Sequence, residues 1–235
     1  MSVPPLARPR AADAVQIPVG ARLLSGELAV PANVRGLVIF AHGSGSNRTS
    51  PRNRQIADVL DGGGLATLLV DLLTLEEEDT DLRTGRLRFD MTLLASRLTA
   101  FCAWAQKRPE LRAVPIGLFG ANTGVGAALL AAAQQPRSFR AIVGRAGRPD
   151  LAGSSIRRVM APTLLIVGER DATVLELNQA AMVRMHHHAT LEVVPNATHL
   201  FEERGALERV AQAACDWFSR HLVNASPSGQ LAMRR

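Results

Sequence analysis

Hydrophobic and polar positions follow two different periods along the chain, and together they predict alternating strands and helices. Short, almost continuous apolar runs, typical of fully buried strands, occupy 36–41, 66–72, 115–120, 141–144, 163–168 and 191–195. Other segments repeat apolar residues every three or four positions, notably Phe89 to Trp104 and Leu207 to Leu222. This succession predicts an α/β fold with a mainly parallel sheet and helices on both faces.

Turn and capping residues divide the pattern into elements. Two alternating strands around Gly20 predict an antiparallel hairpin between Val15 and Val30. Ser50-Pro51 is a good helix start, and the glycines of 61–64 close that helix. A further helix is expected over Thr123–Gln135, and the acidic stretch 76–81 is expected to be a loop. Residues 13–223 are predicted to form one domain, with loose termini at 1–12 and 224–235.

Polar residues cluster where the predicted parallel strands end, which is where α/β folds place their function. The stretch 42–46 reads HGSGS, and 120–124 reads GANTG. Asp171 follows the run at 163–168, and His199 follows the last strand. The order of elbow, acid and histidine is that of α/β-hydrolases, and GANTG has the shape of the nucleophile elbow G-x-S-x-G. Asn122 stands where that elbow has its serine.

The motifs that carry a resemblance are HGSGSNRTSPRN, GLFGANTG, GRPDL, APTLLIVGERD and NATHLFEE. Over about residues 15–222 the chain resembles the dienelactone-hydrolase-like group of α/β-hydrolases, especially small bacterial hydrolases also found fused to phosphoribosyltransferase domains. The resemblance implies an α/β-hydrolase fold without a sizeable cap domain. It implies that Asp171 orients the ring of His199, the general base, and that Asn122 occupies the nucleophile position.

The same resemblance implies an oxyanion hole and a substrate-binding loop. Backbone N–H groups of Thr123 and Ser44 are expected to form the oxyanion hole. His42, Gly43 and Gly45 are expected to line the substrate site, with His42 more suited to hydrogen bonding within the loop than to acting as a base.

Asn122 changes the expected chemistry. A carboxamide has no proton that a histidine removes at neutral pH, so it cannot act as the nucleophile of a triad. Asparagine does tolerate the positive φ that an elbow requires. Three explanations stay open: a selected or engineered inactive variant, a natural relative that binds ligand or activates water through His199, and an asparagine standing for an aspartate nucleophile. The last is weakened by the short stretch Arg145–Pro162, which leaves no room for a cap.

The sequence therefore predicts a scaffold for carboxylic ester or lactone hydrolysis that is inactive or strongly impaired in this chain. The alternative is a non-catalytic pseudo-hydrolase that binds a small molecule. The expected partner is a small ester or lactone, and no cofactor or metal is expected. His186-His187-His188 is interpreted as a solvated turn because no further ligands are nearby in the sequence.

The composition bears on three other classes of protein: those that bind nucleic acid, those that contain disulfides, and those that are secreted or membrane-bound. The net charge of +6 comes almost entirely from arginines, which are scattered, and no nucleic-acid-binding motif accompanies them. We therefore expect no specific nucleic-acid partner. Cys102 and Cys215 lie in helical patterns and are expected to be buried thiols. No apolar run is long enough to span a bilayer, and the first residues lack an apolar signal segment, so a cytoplasmic protein is expected. The resemblance to small bacterial hydrolases implies a bacterial protein.

Overall fold

The computed structural model describes residues 12–43, 45–185 and 188–223. Except for Ala12, the termini expected to be loose lie outside these residues, as do Ser44, His186 and His187. Eight strands form one sheet in the spatial order β1-β2-β4-β3-β5-β6-β7-β8. The strands are β1 Asp13–Val19, β2 Arg22–Ala29, β3 Leu37–Ala41, β4 Ala66–Val70, β5 Ile116–Ala121, β6 Ala141–Arg145, β7 Thr163–Gly168 and β8 Ala189–Val194.

The N-terminal hairpin is antiparallel, as predicted, and turns at Gly20, whose φ is +60°. β2 also pairs antiparallel with β4, whereas the neighbouring pairs from β4 to β8 are all parallel. The mainly parallel sheet with an antiparallel N-terminal pair is therefore confirmed. The helices are α1 Pro51–Gly62, α2 Leu75–Thr84, α3 Met91–Ala105, α4 Thr123–Gln134, α5 Ala172–Arg184 and α6 Ala206–Phe218.

Two hydrophobic cores lie on opposite faces of the sheet because successive side chains of a strand point to opposite faces. In β3, Ile39 packs in the core that contains α3 and α4, whereas Phe40 packs in the core that contains α1 and α6. Both faces are covered, which explains why the central strands read as continuous apolar runs. Cys102 and Cys215 are buried thiols, as expected.

Three local predictions were wrong. The acidic stretch is not a loop, because it forms part of α2, which a capping box between Thr74 and Glu77 begins. The last strand, β8, is only partly buried because it pairs with β7 alone and forms a sheet edge. Phe89 lies in a 3₁₀ turn before α3 and is half exposed.

The connection between β6 and β7 is partly helical. Residues Pro149–Arg158 form two short helical segments that meet at Gly153, whose φ is +58°. Within the residues that the structure describes, no helix is long and apolar enough to cross a membrane.

Candidate active site

The turn between β5 and α4 holds Asn122 in a strained backbone conformation. Its φ of 50° and ψ of −119° lie outside the regions that non-glycine residues normally occupy. The N–H of Asn122 donates to the carbonyl of Arg145 at 3.1 Å, and its own carbonyl accepts from the N–H of Arg148 at 3.0 Å. The segment that follows β6 therefore holds the turn in place, and strain that persists in this way is typical of functional sites.

Two glycines allow β5, the turn and α4 to pack this closely. A Cβ on Gly120 would lie 2.7 Å from Cα of Val125. A Cβ on Gly124 would lie 2.8 Å from the carbonyl oxygen of His42, and the carbonyl of Ala41 is closer still. Real Cβ atoms do not come this close to backbone atoms. Both positions therefore need glycine for β5, the turn and α4 to pack in this way.

Asn122, His199 and Asp171 lie in one hydrogen-bonded series at the carboxyl edge of the parallel strands. Nδ1 of His199 is 2.6 Å from Oδ2 of Asp171, and Nε2 of His199 is 3.1 Å from Nδ2 of Asn122. A carboxylate only accepts hydrogen bonds, so Nδ1 is the donor and carries a proton. Nε2 faces the amide nitrogen of Asn122, which only donates, so Nε2 carries no proton and accepts from the amide as it would accept from a serine hydroxyl.

Asp171 also occupies the position before the first residue of α5, but it does not cap the helix with its side chain. Its backbone carbonyl accepts from the N–H of Leu175, while its carboxylate turns to His199. The side chain of Asp171 is largely shielded, whereas that of His199 is 37% exposed. The shielded Asp171 carboxylate holds Nδ1 of His199, while the exposed part of the ring leaves Nε2 on the side of the cleft. This arrangement suits a histidine whose Nε2 faces a ligand.

Contacts on both sides hold the loop that carries His199. The carboxylate of Glu203 accepts from the N–H of Thr198 at 3.1 Å, and that of Glu169 accepts from the N–H of Asn196 at 2.7 Å. The loop packs directly on the end of β7, because a Cβ on Gly168 would meet its backbone. The ring is therefore positioned by backbone contacts as well as by Asp171.

The loop after β3 lies against the elbow, where the oxyanion hole is expected. A Cβ on Gly43 would come within 2.7 Å of Cβ of Asn122, so this position needs glycine. Thr123 is the first residue of α4 and is buried. Ser44, the other expected donor, lies outside the described residues. Thr123 and the Gly43 loop thus face the same region, and the oxyanion hole remains a prediction.

His42 is buried and engaged within the protein. Its Nε2 accepts from the N–H of Leu72 at 3.0 Å, and its Nδ1 lies 3.1 Å from the carbonyl of Gly43. Burial lowers the pKa of His42 and outweighs the opposing effects of Gly43 and Asp71. A neutral ring that carries its proton on Nδ1 satisfies both contacts. This arrangement fits a residue that shapes the loop rather than a base.

Two clefts meet at the elbow. The apolar cleft, about 220 Å³, is lined by leucines together with His42, Thr123 and part of α2. Its leucines are Leu72, Leu73, Leu82 and Leu94. The polar cleft, about 380 Å³, is lined by Asn122, His199 and Arg145, and by Gly43, Gly45 and most residues from Ser46 to Arg52. Gly43 and Gly45 line both clefts, so the loop predicted to bind substrate separates them.

Sequence reasoning missed two parts of this site. Arg145, the last residue of β6, lines the polar cleft. The signal was available, because a charged residue ends an otherwise apolar strand. Helix α2, which forms a wall of the apolar cleft, was missed because its acidic sequence was interpreted as a loop. The T-x-x-E spacing of Thr74 and Glu77 could have identified its start.

Other candidate nucleophiles and ligands do not join the series. The pKa of the Cys102 thiol is raised to about 11 by burial, and the pKa of Cys215 is also raised by burial. Among the described residues, no group of three or more histidine, cysteine or carboxylate side chains could hold a metal ion. Of the histidine run, only His188 is described.

Comparisons with known proteins agree with the observed fold. A family model described as the dienelactone hydrolase family matches residues 24–223. A dienelactone hydrolase from Anabaena variabilis is 51% identical, with a TM-score of 0.88 over 92% of this chain and 100% of that chain. An esterase from Pyrococcus furiosus has a TM-score of 0.70 over 91% of this chain and 94% of its own, but at 17% identity it supports the fold alone.

A third relative is longer. A Mycobacterium tuberculosis protein named as a phosphoribosyl transferase is 55% identical over 217 residues. The match covers 92% of this chain but 48% of the relative, so the chain spans about half the length of that protein. This relationship is consistent with the resemblance to hydrolases that are fused to phosphoribosyltransferase domains.

Proposed function

The chain belongs to the dienelactone hydrolase family, and from this premise we propose that its site is built to hydrolyse carboxylic esters or lactones, with Asn122 in place of the nucleophile. The observation that carries the proposal is the series Asp171–His199–Asn122, with contacts of 2.6 Å and 3.1 Å. The 51% identity to a protein named dienelactone hydrolase supports the ester and lactone class.

With serine at the elbow, the remaining groups would suffice for acyl transfer. The serine Oγ would attack the ester carbonyl carbon while its proton passes to Nε2 of His199. The carbon–oxygen bond to the alcohol would then break, and the alcohol oxygen would take that proton. Water would hydrolyse the acyl-enzyme in a second step, again through His199. Asp171 would keep the ring in the required tautomer, and Thr123 would supply a backbone donor to the oxyanion.

With asparagine, the same series holds the base but supplies no nucleophile. The Asn122 amide donates to Nε2 of His199 at 3.1 Å, so it reproduces the serine contact without a removable proton. We therefore infer that this chain hydrolyses esters very slowly or not at all. The occupied Nε2 also favours a second candidate function, a pseudo-hydrolase that binds a small molecule without turning it over.

The decisive experiment replaces Asn122 and measures ester turnover. Asn122→Ser should raise kcat with p-nitrophenyl acetate and short acyl esters by a large factor, because loss of one triad nucleophile costs roughly 10⁶ in kcat. Asn122→Ala is the matched control and should stay at the background of the unmodified chain. Asn122→Asp tests whether the position accepts an aspartate nucleophile.

The gain must also depend on the proposed base. Adding His199→Ala to Asn122→Ser should abolish the gain, and a fluorophosphonate probe should label the Asn122→Ser chain but not the unmodified one. If a folded Asn122→Ser chain hydrolyses no member of a broad ester and lactone panel, the hydrolase proposal is wrong and the pseudo-hydrolase takes its place.

A further inference from the structure

The guanidinium of Arg145 is the least satisfied charged group at the site. Its Nε and Nη1 atoms are shielded from solvent and have no hydrogen-bond partner within the described part of the protein. Burial, with a smaller effect of nearby Arg52, lowers the pKa of Arg145 to about 10, so it stays charged at neutral pH. A buried charge without a partner is costly. This uncompensated charge therefore calls for an explanation, and an anion held at the accessible part of Arg145 would compensate it without contacting the two shielded atoms.

Arg145 lines the polar cleft together with His199 and Asn122, and as a residue it is only partly buried. Arg52 adds a second positive charge at the same cleft, and its only ion pair described is with Glu202, which is well exposed and lies outside the cleft lining. No described residue that lines the polar cleft carries a carboxylate. The cleft thus has an excess of positive charge next to the proposed base.

The apolar cleft has the opposite character. Glu78 and Asp81 line it, with Arg88 paired to Asp81 at 2.6 Å. An anionic group there would meet carboxylates and leucines, whereas in the polar cleft it would meet guanidinium groups. The charges therefore assign an anionic ligand group to one cleft only.

The donors of the polar cleft match a phosphate group better than a carboxylate. Two guanidinium groups can together neutralise a dianion, and Ser46 and Ser50 line the same cleft. A phosphate monoester offers three acceptor oxygens and nearly two negative charges at neutral pH. Guanidinium pairs suit this geometry. We propose that the polar cleft binds the phosphate group of a phosphorylated ligand, with Arg145 as its main anchor and Arg52 at the rim.

The placement also indicates which part of a substrate carries the phosphate, and this step rests on the proposed function. His199, which would protonate the leaving alcohol, lines the polar cleft and not the apolar cleft. The alcohol part therefore lies in the polar cleft and the acyl part beside the leucines. The substrate class is a carboxylic ester of a phosphorylated alcohol, in which the acyl carbon–oxygen bond breaks and the phosphate ester stays intact.

Binding to the unmodified chain tests the subsite directly, because Asn122 prevents turnover. Titration calorimetry at constant ionic strength compares inorganic phosphate and phenyl phosphate with phenylacetate. Both phosphates should bind saturably and phenylacetate much more weakly. Arg145→Gln should weaken phosphate binding about tenfold or more, as expected for a charged hydrogen-bonding group, and Arg52→Gln several-fold. Arg137→Gln, which removes an exposed arginine beyond the end of α4, is the matched control and should change nothing.

Thermal unfolding separates a ligand anchor from a structural arginine. Arg145→Met should raise the melting temperature of the ligand-free chain, because it removes an uncompensated buried charge, and phosphate should no longer raise it further. A large fall in melting temperature would mean that Arg145 stabilises the fold, and it would overturn the inference. If the Arg145 variants do not fold, Arg52→Gln decides the question.

The outcomes for binding and for turnover are independent. No saturable phosphate binding at millimolar concentrations, equal binding of phenylacetate, or unchanged binding in Arg145→Gln would each refute the phosphate subsite, even if Asn122→Ser hydrolyses neutral esters. Conversely, Arg145-dependent phosphate binding together with an inactive Asn122→Ser chain would refute the hydrolase proposal and leave the subsite standing.

Discussion

A single methyl group at Gly124 should disrupt the elbow, because the start of α4 packs directly on the end of β3. In Gly124→Ala, the new Cβ would lie 2.7 Å from the carbonyl carbon of Ala41 and 2.8 Å from the carbonyl oxygen of His42. These neighbours are backbone atoms of a central strand and its loop, so they cannot rotate away. Either α4 moves outward or the end of β3 shifts.

The expected cost follows from these contacts. Overpacking a filled site costs about 1–3 kcal/mol, and occasionally more. A clash with two backbone carbonyls belongs at the upper end. The better helix propensity of alanine recovers at most about 1 kcal/mol. We expect a net loss of about 2–3 kcal/mol, which corresponds to a fall of roughly 4–12 °C in melting temperature for a chain of this size.

The matched control is Gly62→Ala. Gly62 is also a helical glycine, at the end of α1, but a Cβ there would meet no atom within 4 Å. Alanine should therefore leave stability unchanged or raise it by about 0.4–1 kcal/mol. Urea unfolding of both variants and the unmodified chain gives the comparison. If the two variants differ by less than about 0.5 kcal/mol, the close packing of the elbow on β3 is not what requires glycine.

Three further predictions concern groups around the site. Burial lowers the pKa of His42 from 6.5, so on acidification the unfolded chain takes up a proton at a higher pH than the folded chain. The free energy of unfolding should therefore fall as pH drops below about 6.5. His42→Gln should lack this part of the pH dependence when both chains are unfolded across pH 5–8. Thr74→Ala should destabilise α2 by about 1 kcal/mol and speed amide exchange there, whereas Thr80→Ala, which lacks a cap contact, should do neither. Cys102, with a pKa of about 11, should resist iodoacetamide at pH 8 until the chain unfolds; labelling of the folded chain would contradict its burial.

Local sequence patterns were sufficient for the order of the elements and for the edge where the candidate residues meet. Apolar runs and periodic helices predicted the mainly parallel sheet, and parallel strands bring their carboxyl ends to one edge. Asn122, Asp171 and His199 each follow such a strand in the sequence. Their expected proximity matches the contacts of 2.6 Å and 3.1 Å in the structure.

Structural features that depend on contacts with other elements were predicted less well from the sequence. β8 has apolar residues on both sides of Glu192 and was interpreted as a buried strand. Strand order is not written in the sequence, and only the sheet shows that β8 is an edge. Helix α2 has many carboxylates and little hydrophobic periodicity. It is stabilised by its capping box and by contacts from distant residues, since Glu77 pairs with Arg97 at 2.7 Å and with Arg22 at 3.1 Å.

The sequence by itself determined the turn between β5 and α4, its glycines and the asparagine at its tip, because these depend on backbone conformation over a few neighbouring positions. Only the tertiary structure decided the charge balance of the two clefts. Arg145 is one of many scattered arginines in the sequence. Its place at the end of an apolar strand is a local signal, but that signal does not tell whether the guanidinium is solvated or paired. Its pKa and its unpaired nitrogens result from burial among segments far apart in the chain, and desolvation and pairing depend on which groups the fold brings within a few ångströms.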